Sequence, residues 1–518
     1  MRYPRWAAAL AVLTAVPAFA GSNLRGNGKN LSWKDGKVVL RVSRTVHTAS
    51  GEFGVDKRES AESVHSAVMD AIRAWTGPGR AKVELDLAFT DAQTVNSGEN
   101  IVTFTDPAPF DTGLCNKDTY ISCTLVSFTE DGAIAGASVA FNPYKRHSSI
   151  GLEGTHDVGL MMMHEMGHVL GIDHSMVADS VMLAAAEQEP SEGAPRQFAV
   201  RRLSEDDLSM LAGIYPLGPV SGASGKVTRG GAGVAGARVI ALDQTGRVPH
   251  GVVTGEDGSF RLLLGPGSYT ISAEPSDGPV AIANGQVVVA EGSWVEAVEI
   301  SAAAGPKLTV DNVGVIVGGL YAGMPHVDLA RGRDHSLALS RSPVGSVVEL
   351  VLPEPAVMRN GNATSPSSAP QLVRQPVRVA AEAPTGSFGF AARTGLTFTV
   401  LPGSLRLVNN PKIDALEDVE TGEPVTSLRV GRRYRLRGVD FASETLTAAP
   451  AFEGATPPTQ LAGIVVRVAG RYLPLLSVSP AEIVFEVPPF PESADTTLAI
   501  VTGTMMESDA LKVQVALE

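Results

Sequence analysis

The sequence is short of aromatic residues, of cysteine and of basic charge. Aromatics make up 5 % of the 518 residues, while Gly numbers 54 and Pro 34. That balance excludes a chain built mainly of long helices and suits many short strands joined by turns. Lys+Arg total 42 against Asp+Glu 55, a net charge of −13. With no basic surplus to neutralise phosphates, nucleic acid is excluded as the main partner. No run reaches the roughly 18 apolar residues that a membrane-crossing helix needs. Cys115 and Cys123 are the whole thiol content. One such pair cannot complete a four-ligand metal site. The apolar fraction of 44 % supports packed cores and excludes disorder of the chain as a whole. The length predicts three or four domains at roughly 150 residues each.

The N-terminus reads as a signal peptide, residues 1–20. Arg2 and Arg5 give a positive start, Trp6 to Val16 an apolar stretch, and Ala18-Phe19-Ala20 a small-x-small cleavage site. Cleavage removes two arginines and no acid, taking the charge from −13 to −15. The expected location is therefore extracellular. In an exported chain the close pair Cys115 and Cys123 reads as a disulfide, with two free thiols as the alternative.

From Trp33 to about Pro216 strand and helix signals mix. Alternation predicts strands over Lys37–Val42, Val83–Phe89, Ile101–Phe104 and Ala135–Phe141. Val64, Ala67, Val68, Ala71, Ile72 and Trp75 fall at helical spacing within Ser60–Trp75. A second helix starts at the capping residues Thr155 to Asp157 and stops at Gly171. A third runs from Ser204 to about Tyr215, opening on Ser204-Glu205-Asp206-Asp207. Beyond Pro216 strand-length runs alternate with turns, which predicts β-sandwich modules. Breaks fall near 217–222, 302–306 and 408–411, and Arg359–Ala369 reads as a long loop.

One segment carries chemistry: His164-Glu165-Met166-Gly167-His168-Val169-Leu170-Gly171-Ile172-Asp173-His174. On a helix, positions i and i+4 share a face, so His164 and His168 can reach one metal ion. Gly171 ends the helix and turns the chain back. His174 then supplies a third nitrogen. Three neutral imidazoles leave a fourth position open, the arrangement of a catalytic zinc site. Glu165 is placed to exchange a proton with water there.

The segment resembles the metzincin metalloproteases, with Gly167 and Ser175 in the matrixin manner. Met182, eight residues after His174, stands at the matrixin Met-turn. Trp33, Ala74-Trp75, Ala137–Phe141 with Asn142-Pro143, and Leu203–Asp207 extend the resemblance over about 185 residues. It implies a twisted mixed sheet over two helices, one catalytic Zn2+, and a protein or peptide substrate paired with an edge strand. Ala135–Phe141 is the candidate for that edge. Two departures stand out. Leu183-Ala184-Ala185-Ala186 follows Met182 where matrixins usually have Tyr-Pro. No His occurs between His65 and His147 to hold a second, structural zinc. Ca2+ is a candidate second ion through Asp106, Asp111 and Asp131, with solvated loop acids as the competing reading. The Asp common in bacterial relatives near the edge strand is Ser138 here.

The expected division is 21–217 matrixin-like, 218–302 resembling a seven-stranded carboxypeptidase regulatory-like sandwich, 303–408 immunoglobulin-like, and 409–518 resembling a C-terminal domain of secreted acidobacterial proteins. The fold class is thus multidomain, α+β followed by all-β. Arg433, Arg435 and Arg437 read as a solvated sheet face, or else as a basic docking face. His250, His326 and His335 are isolated and read as surface or loop residues. The stretch Gly21–Ser32 has no cysteine to plug a metal site and reads as a flexible leader. Asp35, next to Gly36, reads as a turn residue, with a carboxylate plug of the astacin kind as the alternative. The function these features imply is a secreted zinc endopeptidase. The alternative is an adhesion protein whose metzincin domain has lost catalysis.

Overall fold

The computed structural model describes residues 9–11, 23–46, 54–55, 61–77, 81–149, 155–183, 201–317, 320–342, 348–365, 367, 370–395, 397–442, 445–448, 457–462, 464–490, 493–502, 506–507 and 510–516. An α+β unit comes first and all-β sheets follow. Apart from Ala9–Ala11, the leader to Ser22 lies outside the described residues.

The first sheet contains β1 (Lys37–Ser43), β2 (Glu84–Thr90), β3 (Ile101–Thr103), β4 (Ser122–Phe128) and β5 (Ile134–Phe141). Their order is β2-β1-β3-β5-β4. The first four in that order run parallel, and β4 is antiparallel to β5. Val38, Leu40 and Val42 bury one face of β1, as the alternation requires. The expected edge strand is corrected here. Ile134–Phe141 lies between β3 and β4, so the outer strand is β4. The tripeptide Ala9–Ala11 adds antiparallel to β4, with Leu10 opposite Ser127. Periodicity could not separate the two strands, because both faces of β4 are covered and its alternation is masked.

Helices α1 (Ala61–Trp75) and α3 (Val158–Val169) pack under the sheet. Val64, Val68, Ile72 and Trp75 bury one stripe of α1. By contrast α3 is buried almost all round, with Met161, Met162, Met163 and Met166 in the core. The Asp157 carboxylate caps it, accepting from Leu160 N at 2.7 Å, and pairs with Arg201 at 2.8 Å. Such a cap contributes about 1 kcal/mol. At the other end Gly171 takes φ 87° and ends the helix. Two orphan carbonyls there find donors: Trp33 Nε1 to Val169 O at 2.7 Å and Tyr215 hydroxyl to Leu170 O at 2.8 Å. Helix α4 (Glu205–Ile214) opens with a full capping box between Ser204 and Asp207. A single helical turn, α2 (Ala108–Asp111), was not predicted. Cys115 and Cys123 are bonded as a disulfide.

The stretch before Trp33 is not the flexible leader its composition suggests. Leu24 and Leu31 are buried in the main core. Leu24 N donates to Gly171 O at 2.8 Å, so this strip lies along the end of the α3 helix. Two leucines among Gly and Asn were enough to anchor it. Asp35 sits in a tight turn at φ 58°.

Beyond Pro216 three pairs of sheets follow, each around its own apolar cluster. The first pair has nine strands rather than seven, the surplus being the two-residue pieces Ala232–Gly233 and Ala281–Ile282. Arg433, Arg435 and Arg437 interleave with Glu486, Glu482 and Glu417 at 3.2, 3.1 and 3.1 Å. That face is a charge-balanced ladder and not a basic surface. Among the described residues no helix is long and apolar enough to cross a membrane.

Candidate metal centre

Helix α3 presents His164 and His168 one turn apart, and the chain returns at Gly171 to bring His174 beside them. One ring nitrogen from each lies within 4.8 Å of the others. Among the described residues this is the only group of three or more His, Cys, Asp or Glu side chains so placed. The His164 Nδ1–H donates to Val181 O at 2.7 Å and the His168 Nδ1–H to Ile172 O at 2.9 Å. Those bonds fix the tautomer, leaving each Nε2 with its lone pair. Burial holds His168 well below its ordinary pKa, with His164 and His174 pushing the same way. Burial likewise lowers His174 to about 4. His168 and His174 are therefore neutral imidazoles at physiological pH, which suits Zn2+. Burial pushes the neighbouring Asp173 carboxyl up to about 6.

Glu165 is buried at 4 % exposure. Both its oxygens are held by hydroxyls from one face of β4: Ser122 Oγ donates to Oε1 at 2.7 Å and Thr124 Oγ1 to Oε2 at 2.5 Å. Two hydroxyl donors meet the desolvated carboxylate, whose burial without partners would be costly. Nothing in the sequence marked Ser122 or Thr124, since their role depends on β4 lying over α3.

After His174 the chain forms a tight loop, 175–183. Ser175 N donates to Met182 O at 2.8 Å, closing it. Met182 is fully buried beneath α3. A Cβ on Gly167 would stand 2.2 Å from Met182 Sδ, so only glycine lets helix and loop approach this closely. Asp207 holds the loop from α4, accepting from Val181 N at 3.1 Å and from the Ser180 hydroxyl at 2.5 Å. Its burial pushes its carboxyl up to about 6.

Residues 53–216 match the family model described as Matrixin. The chain carries a matrixin-type domain. Residues 221–302 match a family described as a protein of unknown function (DUF1416). No curated protein matches the chain. Among solved structures, the surface glycan-binding protein PbSGBP-B of Prevotella bryantii is 12 % identical over 40 % of this chain and 43 % of its own, with TM-score 0.16. SGBP-B from the mixed-linkage glucan utilization locus of Bacteroides ovatus is 11 % identical over 55 % of this chain and 61 % of its own, with TM-score 0.16. The chain thus spans less than two thirds of either. The major pilin subunit BcpA of Bacillus cereus is 9 % identical over 57 % of this chain and 96 % of its own, also with TM-score 0.16. Likeness at that level carries no argument.

In the matrixin-type domain the three acids considered for calcium do not converge. Asp106 accepts from Val95 N and Ala108 N at 2.8 and 3.0 Å. Asp111 accepts from the Tyr144 hydroxyl at 2.8 Å, and Asp131 is bonded by the Thr129 hydroxyl. Each serves its own loop. His250 is not a surface residue but is buried facing Asp206, whereas His326 is a loop residue, half-buried with Nδ1 on Ala178 O. Tertiary docking hides His250, and isolated position in the sequence gave no hint. His335 is half-buried, donating from Nε2 to Ala330 O at 3.0 Å.

Proposed function

We propose that the chain is a secreted zinc-dependent endopeptidase acting on extracellular proteins. The observation that carries this reading is the convergence of His164, His168 and His174, with Glu165, next to His164 in the chain, held in place by two hydroxyls. His164, His168 and His174 would hold the ion. Zinc supplies a Lewis acid that polarises a carbonyl and makes water easier to deprotonate.

The chain's own residues do the rest. Glu165 takes a proton from the attacking water on a carboxylate oxygen and returns it to the departing amine nitrogen. Ser122 and Thr124 fix that carboxylate so that it does not swing away between the two transfers. Met182 and the loop around it support the ligand rings from below. Once residues 1–20 are removed, the edge of β4 on which Ala9–Ala11 lies is the surface for an extended peptide in the same antiparallel sense. The signal-peptide pattern supports export.

The test is cleavage of casein and gelatin by protein beginning at Gly21. A chelator should abolish cleavage, and one equivalent of zinc should restore it. Zinc-loaded, folded protein that cleaves neither would overturn the reading.

A further inference from the structure

The three imidazoles are not held alike. His164 and His168 each have a backbone carbonyl on Nδ1, whereas among the described residues the His174 ring has no such partner. Its position comes from the loop that follows it, and that loop is gripped by two β-modules.

From one side comes the sandwich at 222–301. The Asp206 carboxylate, 1 % exposed, collects three donors: Ser175 Oγ at 2.5 Å, His250 Nδ1–H at 2.8 Å and Gly251 N at 2.9 Å. Ser175 directly follows His174, and His250 and Gly251 belong to the module. Remove the module and this carboxylate loses two of its three partners, freeing it to turn toward water and release Ser175. From the other side comes the module at 309–408. Ser387 Oγ donates to Asp179 Oδ1 at 2.8 Å, and Ala178 N donates to Pro402 O at 2.9 Å. Burial pushes the Asp179 carboxyl up to about 7. Packing agrees with the hydrogen bonds. A Cβ on Gly251 would stand 2.9 Å from Val177 Cγ2, and one on Gly403 would stand 2.5 Å from Val177 Cγ1. Val177 is thus pressed between two backbones from two modules, with no room for a side chain on either.

We propose that these two modules complete the metal centre. His250 and Ser387 are positioning residues that set the loop carrying His174 and Met182. The inference rests on the zinc-peptidase reading for its functional meaning, and its test reads the metal directly. The full chain would be prepared with His250→Phe, His250→Asn, Ser387→Ala and Ser387→Thr. Zinc affinity would be measured by competition with a chelating dye, and the ligand field by the visible spectrum of the cobalt-loaded protein. Groups that orient metal ligands alter affinity roughly 10- to 100-fold. Acting one residue further out, His250→Phe should weaken zinc binding about tenfold and shift the cobalt bands. His250→Asn, which keeps a donor near Nδ1, should recover most of both.

Ser387→Ala removes a single oxygen, the one on Asp179 Oδ1. It should weaken zinc binding about threefold, and Ser387→Thr should not. The proposal is overturned if His250→Phe and Ser387→Ala, both folded by circular dichroism, bind zinc as wild type does with unchanged cobalt spectra. If His250→Phe fails to fold, Gly251→Ala, which adds one methyl against Val177, takes its place under the same two outcomes. A wild-type protein that binds zinc but cleaves no peptide would sink the peptidase reading while leaving this metal test standing.

Discussion

Replacing Gly167 with alanine adds one methyl group where α3 crosses the Met182 loop. The new Cβ would lie 2.2 Å from Met182 Sδ, 2.9 Å from its Cε and 3.1 Å from Trp75 Cζ2. Comfortable contact needs about 3.5–4.0 Å, so something must move by more than about 1 Å. Trp75 cannot retreat easily, since its Nε1 donates to Met163 O at 2.8 Å. The loop backbone is tied through Ser175, Ser180 and Asp207. The Met182 side chain must therefore leave its rotamer. Overpacking of this kind costs about 1–3 kcal/mol, against about 1 kcal/mol gained from replacing glycine inside a helix. The net expectation is a loss of about 0–2 kcal/mol, together with weaker zinc binding, because Val181 O beside Met182 holds His164.

Context should reverse the sign. Met182→Ala alone leaves a cavity and should cost about 2–5 kcal/mol. In that background the alanine methyl at 167 enters vacated space, and Gly167→Ala should become stabilising by up to about 1 kcal/mol. A double-mutant cycle isolates the coupling, expected at about 1–3 kcal/mol. Urea unfolding followed by tryptophan fluorescence suits the purpose, since Trp33 and Trp75 both lie in this core. Equal cost in both backgrounds, or a gain of about 1 kcal/mol in the wild type, would refute the close-approach argument.

Thr124→Val should lower kcat at least tenfold while KM and zinc content stay near wild type, because the loss falls on Glu165 and not on a metal ligand. Steady-state kinetics with a zinc count checks it, and an equal rise in KM would contradict it. Opening Cys115–Cys123 by a double alanine substitution should cost roughly 2–3 kcal/mol, from loop-closure entropy over a sequence separation of 8; the shift of the thermal midpoint under non-reducing conditions reads it. Burial lowers His326 from 6.5 to about 4. A depressed histidine is neutral in the fold and protonates first in the unfolded chain, so its stabilisation is present above pH 6.5 and is lost as pH falls toward 4. That loss is about 3 kcal/mol. Urea midpoints of His326→Phe should show a shallower acid limb than wild type, and an unchanged limb would contradict the assignment.

Local signals made much of the described part of residues 33–216 legible. Alternation in Lys37–Val42, the apolar stripe of Ser60–Trp75 and the box at Ser204–Asp207 each report a short-range cause, and each forms as read. The His164-to-His174 spacing brings three rings together for the same reason: helix geometry and one glycine turn decide it. What the sequence hid depends on long-range placement. The edge strand passed from Ile134–Phe141 to Ser122–Phe128 because both faces of each are covered. Leu24 and Leu31 anchored a stretch whose Gly and Asn content pointed to freedom. Ser122, Thr124, Asp206, His250 and Ser387 carry no local pattern, since each acts on a residue at least 31 positions away.

The central claim is that Glu165 moves protons beside a metal that it does not hold. Glu165→Ala tests it most directly, with zinc content and casein hydrolysis measured on the same preparation. The account predicts about one equivalent of zinc, as in wild type, with at least a hundredfold loss of hydrolysis. Hydrolysis near the wild-type rate with zinc retained would contradict it.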